Sequence, residues 1–168
     1  MTTTIDCNDI LDIKICAKMN ITYPDGSTYV GDWQNNKMHG SGILISKDFK
    51  YEGEFKYGKA TGIGKAIYKN GSNYEGLFQN GKINGKGKLI YFNGDVYEGE
   101  FKDGLKHGNG CFINEKDGYK YIGDYKENVK DGIGKIIYYD GYRYEGKFKN
   151  NQPVYSRLVE SLNKFGIY

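Results

Sequence analysis

A pattern of about 23 residues recurs along this chain of 168 residues, and the period constrains the fold more strongly than any other feature. Each copy opens with a tyrosine, has a glycine two positions later and an aromatic residue four positions later. Most copies carry two further glycines in their second half. The opening tyrosines are Tyr29, Tyr51, Tyr74, Tyr97, Tyr121 and Tyr144. A fixed period of this kind indicates an array of similar structural units.

Each unit is predicted to be a β-hairpin. Apolar and polar residues alternate within it, which is the period of a strand, and helical spacing is absent. In the third unit, residues 74–79 and 82–91 flank Asn80-Gly81, and Asn-Gly between alternating runs is the strongest short signal for a type I′ turn. The equivalent turn pairs are Asn35-Asn36, Tyr57-Gly58, Asp103-Gly104 and Glu127-Asn128. The chain is therefore predicted to be all-β.

The repeated glycines are predicted to lie opposite the repeated rings. If the turn pairs are two-residue loops, counting places Tyr74 opposite Gly87 and Gly76 opposite Gly85 within the hairpin. Counting across the next loop places Phe101 opposite Gly85 as well. Glycine weakens a strand unless something approaches its backbone closely, and a large ring does so. We therefore expect the rings to lie over bare backbone.

The other face of the strands carries alternating charges and isoleucines. Glutamates and lysines at this face are expected to form solvated cross-strand pairs, which set register and solubility more than stability. The residues are Glu52, Glu75, Glu98, Glu145, Lys65, Lys86, Lys88 and Lys135, with Ile45, Ile67, Ile90, Ile113 and Ile137 between them. A structural role for this face is favoured over a ligand site.

The two ends of the chain depart from the pattern. Residues 1–16 are interpreted as an N-terminal segment that includes the start of the first strand, and residues 17–153 as the array of a half repeat, five full repeats and a half repeat. Pro153 is expected to keep the last unit from forming a hairpin. Apolar residues at helical spacing after Ser156 predict a short capping helix within residues 154–168.

The repeated residues resemble a known family, the MORN (membrane occupation and recognition nexus) repeat. The resemblance rests on Tyr-Glu-Gly-Glu-Phe at residues 97–101, on the Gly-Lys that follows the turn in several units, and on Gly-x-Gly-x-x-x-Tyr-x-x-Gly after it. It extends over roughly residues 17–151. It implies an elongated, twisted, single-layer antiparallel sheet with an aromatic-lined groove, and a role as scaffold or targeting module. It does not imply one particular activity, since such arrays occur alone and attached to kinases and methyltransferases.

Several kinds of chemistry are disfavoured by the composition and spacing. The cysteines and histidines are too few and too scattered for a metal or catalytic site, so no cofactor and no enzymatic activity are predicted. The glycine-lysine runs lack the following helix that a phosphate loop needs. Nucleic-acid binding is disfavoured because 24 Lys and Arg stand against 21 Asp and Glu and the two signs alternate. The residues concerned are Cys7, Cys16, Cys111, His39, His107 and 62–65.

The predicted function is non-catalytic binding of a peptide or helix of a protein partner on the aromatic face. One alternative is peripheral binding of anionic phosphoinositide lipids, which the alternation of charges makes less favourable. A second alternative is a regulatory subunit of an enzyme, and homodimerisation through a sheet edge stays open. The candidate site residues are Tyr29, Trp33, Tyr51, Phe55, Tyr68, Tyr74, Phe78, Tyr91, Tyr97, Phe101, Tyr121, Tyr125 and Tyr138.

The expected location is the cytoplasm, with attachment to cytoskeleton or membrane through a partner. Residues 1–12 lack the basic and apolar regions of a signal peptide, and three cysteines that cannot all pair fit a reducing compartment.

The shape of the chain in solution tests the predicted array. About twelve strands spaced ~4.8 Å apart extend roughly 50 Å along the stacking direction. Small-angle scattering should therefore give a radius of gyration clearly above the ~15 Å expected for a compact monomer of this length. A value near 15 Å would show that the strands close into a globular domain.

Overall fold

The computed structural model describes residues 17–154 and 158–159, and this part of the chain forms one open antiparallel β-sheet. Consecutive strands are neighbours from β1 to β13, and β14 pairs with β12. The predicted all-β fold is confirmed. The strands are β1 (Ala17–Thr22), β2 (Thr28–Gln34), β3 (Lys37–Ile45), β4 (Phe49–Lys56), β5 (Lys59–Tyr68), β6 (Asn73–Gln79), β7 (Lys82–Ile90), β8 (Val96–Lys102), β9 (Leu105–Asn114), β10 (Tyr119–Lys126), β11 (Val129–Tyr138), β12 (Arg143–Lys149), β13 (Gln152–Pro153) and β14 (Leu158–Val159).

The turns inside the hairpins have the backbone that the sequence predicts. Both central residues of each turn have positive φ, as type I′ geometry requires; in Asn80-Gly81 the angles are 52° and 81°. Glu127-Asn128, the pair with the least typical composition, adopts the same conformation at 49° and 73°. The backbone twist of a type I′ turn matches the right-handed twist of the flanking strands. Because each full unit has such a turn at the equivalent position, each forms the same hairpin.

The loops between hairpins preserve the predicted register. Gly94 has a φ of 90°, and its N–H donates to the Tyr91 carbonyl at 3.0 Å, which closes the loop after β7. Leu89 consequently lies opposite Tyr97 on the next strand. Loops of other lengths give the equivalent pairs Leu44–Tyr51 and Phe112–Tyr121. Variation in repeat length is thus absorbed on one edge of the array without moving the rings.

The predicted register inside the hairpins is wrong, because each of the five full hairpins contains a bulge. Near the turn Phe78 lies opposite Ile83, but beyond the bulge Gly76 lies opposite Gly87 and not Gly85. Three residues of β7 oppose one residue of β6 there, and Gly85 takes a φ of 92°. Simple counting assumes an uninterrupted ladder, so it cannot include the two extra residues. Tyr74 therefore faces Leu89 directly.

The prediction that rings lie over glycine is nevertheless confirmed. A Cβ atom on Gly87 would lie 2.5 Å from Cε2 and Cζ of Tyr74, so the ring covers the glycine diagonally. The Tyr74 hydroxyl also donates to the Leu77 carbonyl, at 3.1 Å, at the bulge. Every opening tyrosine makes the same bond to the residue three positions later, at 2.6 to 3.2 Å. The bulge thus supplies an acceptor that a regular ladder would already use.

The rings form one continuous chain along the sheet. Each opening tyrosine contacts the second aromatic residue of its own unit, and all but the last also contact that of the next unit. The centroids of successive rings are 4.8 to 6.0 Å apart. Nearly all contacts are edge-to-face, a favoured geometry for aromatic pairs. The order is Trp33, Tyr29, Phe55, Tyr51, Phe78, Tyr74, Phe101, Tyr97, Tyr125, Tyr121, Phe148, Tyr144. This chain of rings, which we call the ring chain, is the hydrophobic core of the single sheet that the described residues form.

The last unit does form a short hairpin, so the prediction for Pro153 is wrong. Phe148 pairs with Pro153, and Asn150 and Asn151 form another turn with positive φ. In an antiparallel ladder every second pair lacks hydrogen bonds between its two members. Here the N–H of Val154 donates to Lys147 at 2.8 Å, so the missing N–H of Pro153 leaves no gap.

The capping helix is absent from the described part of residues 154–168. Leu158 and Val159 are extended and pair with Tyr144 and Arg143 of β12. Strand pairing to β12 replaces the predicted helical turn at these two residues. The other residues after Ser156 on which the helix was predicted lie outside the described residues, as does the N-terminal segment 1–16.

Substituting Gly87 tests the packing of rings on glycine. Gly87 does not have a positive φ, so the cost of Gly87→Val comes from the contact with Tyr74, which has no room to retreat, and we expect about 3 kcal/mol or more. Gly104→Ala is the control. Gly104 has a φ of 87° with open space around it, so only backbone strain of about 1–2 kcal/mol applies. Equal costs for both variants in chemical denaturation would contradict the packing.

Candidate binding groove

Most of the predicted binding residues are buried in the ring chain. Nine of the thirteen have at most 7% of their surface exposed, because each ring lies on glycine and is covered on its flanks by the next ring. They are Tyr29, Tyr51, Phe55, Tyr74, Phe78, Tyr97, Phe101, Tyr121 and Tyr125. As buried residues they shape the face but offer a partner almost no surface. Of the other four, Trp33, Tyr68 and Tyr91 are partly buried, and Tyr138 is 40% exposed.

Two rows of partly buried side chains border the ring chain. One row, which we call the tyrosine row, lies near the loops between hairpins and consists of Tyr68, Tyr91, Tyr119 and Tyr138. The other, the hairpin row, holds the second residue after each type I′ turn: Met38, Ala60, Ile83, Lys106 and Lys130. Both rows are on the face of the rings, since Phe78 pairs with Ile83 and Tyr119 with Tyr138. We call the strip between the rows the groove.

The half of the groove nearer β1 is apolar and contains a cavity. This cavity has a volume of about 260 Å³. Met38 and Ala60 line it on the side of the hairpins, and Phe49 and Tyr68 line it on the other side. Its floor includes the buried ring of Phe55. Concave apolar surface of this kind favours burial of another molecule's apolar side chain.

The other half of the groove is cationic. Lys106 Nζ lies 4.8 Å from the ring centroid of Phe112 and 5.8 Å from that of Tyr91, so the side chain reaches from one row towards the other. Lys130 Nζ lies 4.5 Å from the ring centroid of Tyr119 and donates to its hydroxyl at 3.2 Å. Burial lowers the pKa of both amines, and the charge of Lys106 adds to the effect on Lys130, whose pKa is about 8.

The comparison with protein families matches the repeats seen in the fold. The MORN repeat matches residues 29–49, 51–73, 74–96, 97–116, 121–141 and 144–154, which together exceed half of the chain. The chain belongs to the MORN-repeat family. The resemblance found in the sequence is thus confirmed, and each of the six matched segments begins at an opening tyrosine.

Two solved structures resemble this MORN-repeat chain weakly. One is the SAS-4 (dCPAP) TCP domain of Drosophila melanogaster in complex with a proline-rich motif of Ana2, at 16% identity, 77% coverage of each chain and a TM-score of 0.43. The other is the TCP10 domain of Danio rerio CPAP with a STIL peptide, at 14% identity, 78% coverage of this chain, 89% of the other and a TM-score of 0.24. Neither likeness carries a conclusion about function. A comparison with curated proteins finds no match.

The sequence interpretation missed the hairpin row. The signal was available, because the second residue after a two-residue turn lies opposite the second aromatic residue of its unit, as Ile83 lies opposite Phe78. The residue type at this position differs between repeats, so it is absent from the repeated pattern on which the prediction was based. Across the described residues, no group of three His, Cys, Asp or Glu is placed to hold a metal ion. Within the same residues, no helix has the length and apolarity needed to cross a membrane.

The buried tyrosines predict a loss of stability in alkali. Burial raises the pKa of Tyr74 to about 12, as it does for Tyr51 and Tyr121. Between pH 10 and 12 the folded chain therefore holds protons that the unfolded chain has lost, so the free energy of unfolding falls as pH rises through this range. Tyr74→Phe should cost about 1 kcal/mol at neutral pH through the lost bond to Leu77, and this difference should shrink towards pH 12.

Denaturation at several pH values measures this difference. Tyr57→Phe, which removes a hydroxyl from a ring that is 64% exposed, is the control for the loss of a tyrosine as such. A difference between wild type and Tyr74→Phe that stays constant with pH would contradict burial of the hydroxyl.

Proposed function

We propose that this MORN-repeat chain is a non-catalytic scaffold that binds a segment of another protein in the groove. The observation that carries the proposal is the groove itself, in which the sheet leaves Met38, Ala60 and Tyr68 only partly buried around an apolar cavity. Within residues 17–154 no second layer covers this face of the sheet. Exposed contiguous apolar and aromatic surface usually marks an interaction site.

The groove suits a helix better than an extended peptide. Strands β2 to β12 are hydrogen-bonded on both sides, so the face offers side chains but no free backbone for strand addition. A helix satisfies its own backbone and needs only side-chain contacts. Neighbouring members of the hairpin row are two strands apart, which is about 10 Å, and two helical turns advance about 11 Å. One side chain of the partner every seven residues would therefore meet one repeat.

Charge separates protein binding from the lipid alternative. On the outer face lysines alternate with acidic residues, as in the exposed ion pair Lys135–Glu145 at 3.3 Å. Attraction to an anionic membrane needs a cluster of basic residues without such partners. We propose that any membrane or cytoskeletal location, and any regulation of an enzyme, comes through the protein bound in the groove, with the chain itself in the cytoplasm.

Introducing charge into the apolar half of the groove tests the proposal. Ala60→Glu/Ile83→Glu places two carboxylates where a partner's apolar side chains would be buried, and it should weaken capture of groove-bound proteins from native lysate about tenfold or more. Ile63→Glu/Ile133→Glu is the matched control, because these residues are 67% and 63% exposed on the outer face. It adds the same charge and should leave capture unchanged.

Two outcomes would count against the scaffold. Equal capture by both double variants would place the interaction outside the groove. Sedimentation of the wild type with anionic phosphoinositide vesicles at physiological salt, with loss in neither variant, would favour the lipid alternative. Thermal unfolding of all three proteins establishes that the comparison is made between folded chains.

A further inference from the structure

Lys106 and Lys130 are charged groups without a counter-ion on the binding face. Neither Nζ atom belongs to any of the ion pairs found between the described residues, all of which involve other lysines. Asp95 is near enough to favour the charged form of Lys106, but its oxygens accept hydrogen bonds from Glu115 N–H and Asn93. Lys130 has only the neutral Tyr119 hydroxyl as an acceptor, and neither ammonium forms an ion pair among the described residues. Removing a charge from water without an anionic partner is costly.

The surroundings of the two partly buried lysines are aromatic. Lys106 faces the rings of Tyr91, Tyr97, Phe112 and Tyr125 at 4.8 to 5.8 Å. Lys130 faces those of Tyr119 and Tyr121 at 4.5 and 4.9 Å. Ring faces attract a cation but do not neutralise it. The site therefore holds two positive charges that repel each other and that form no ion pair among the described residues.

The same positions in the earlier repeats are apolar, which marks this site as a departure from the repeat pattern. Met38, Ala60 and Ile83 occupy the hairpin row there. A second departure lies beside it, since Tyr125 stands where other units have Trp or Phe. Its hydroxyl is buried and has no hydrogen-bond partner within the described residues. Two lysines and an extra hydroxyl thus gather polar groups at one end of an otherwise apolar groove.

We propose that Lys106 and Lys130 together bind a side-chain carboxylate of the protein segment that occupies the groove. This inference rests on the proposed function and adds a direction of binding to it. The bound segment places apolar side chains over Met38, Ala60 and Ile83, and an Asp or Glu over the two lysines. A carboxylate accepts hydrogen bonds from both ammonium groups and replaces the water that burial has removed. The pair fixes the direction in which the segment lies along the sheet.

The site is tested with 3-phenylpropionate, which combines a carboxylate with an apolar body. Lysine Cε resonances of the labelled full chain report binding and protonation at each amine. We expect saturable shifts at Lys106 and Lys130, and a rise in the pKa of Lys130 from about 8 towards the ordinary value of 10.5. The neutral analogue 3-phenylpropionamide should cause neither.

Matched variants assign the binding to the lysine pair. Lys106→Met/Lys130→Met installs the residue that the first repeat has at this position, and it should weaken binding of 3-phenylpropionate about tenfold or more. Lys86→Met/Lys88→Met removes the same charge from the outer face and should leave binding unchanged. Unchanged binding in the first variant, or equal binding of the amide, would overturn the proposal.

Other sources of the anion give distinct results. Shifts caused by inorganic phosphate but not by 3-phenylpropionate would overturn carboxylate selectivity in favour of a phosphorylated ligand. If Ala60→Glu/Ile83→Glu captures partners normally while the carboxylate still binds here, the proposed function fails and the anion site stands.

Discussion

The fold depends on the contact between each opening tyrosine and the glycines beneath it. In a sheet with one layer there is no opposing surface on which a large side chain can be buried. Gly76 and Gly87 lie opposite each other with no Cβ between them and Tyr74, so the ring lies flat on the backbone and becomes fully buried. The sheet thereby acts as its own second layer. Edge-to-face contacts then connect neighbouring repeats, and stability spreads along the array through nearest neighbours.

The bulge explains why the opening position carries tyrosine while the second aromatic position is mostly phenylalanine. The irregular ladder near Leu77 leaves its carbonyl free to accept the hydrogen bond from the Tyr74 hydroxyl. Acidic side chains stabilise the bulge from the other face in several repeats: Asp124 Oδ2, for example, accepts from Ile133 N–H at 2.7 Å. At the second aromatic position no such acceptor is present. The hydroxyl of Tyr125, which occupies this position, is therefore buried without a hydrogen-bond partner among the described residues. The bulge thus favours tyrosine at the opening position, and the missing acceptor favours phenylalanine at the second aromatic position.

The division of the groove into two halves follows from side chains that play no part in this core. The residue type at this position differs between successive repeats, which have Met38, Ala60, Ile83 and Lys106. The tyrosine–glycine contacts are present in all of them, since these residues lie beside the rings and not beneath them. The row can therefore vary without loss of the fold. The repeated residues build the sheet, and the variable residues determine the chemistry of its surface.

The sequence alone was sufficient for the strands, the turns and the contact of rings with glycine. Period-two alternation and pairs such as Asn80-Gly81 are local signals, and local backbone preference determines the hairpins of every repeat. The register past the bulge was not predictable by counting, because counting assumes a regular ladder and the bulge at Gly85 adds two residues to one strand. The short pairing of Leu158 with β12 in place of a helix was likewise decided by an available strand edge.

Accessibility was the property that only the tertiary structure decided. Both Tyr74 and Tyr68 are candidate binding residues by sequence, yet one is fully buried and the other lines the groove. The difference depends on the neighbouring strand: the Tyr74 ring lies diagonally over Gly76 and Gly87, whereas Tyr68 is paired with Phe49. For the same reason the sequence could count the lysines but could not show that Lys106 and Lys130 lie among rings without a carboxylate partner. Burial and pairing arise between strands, and no window of one strand contains them.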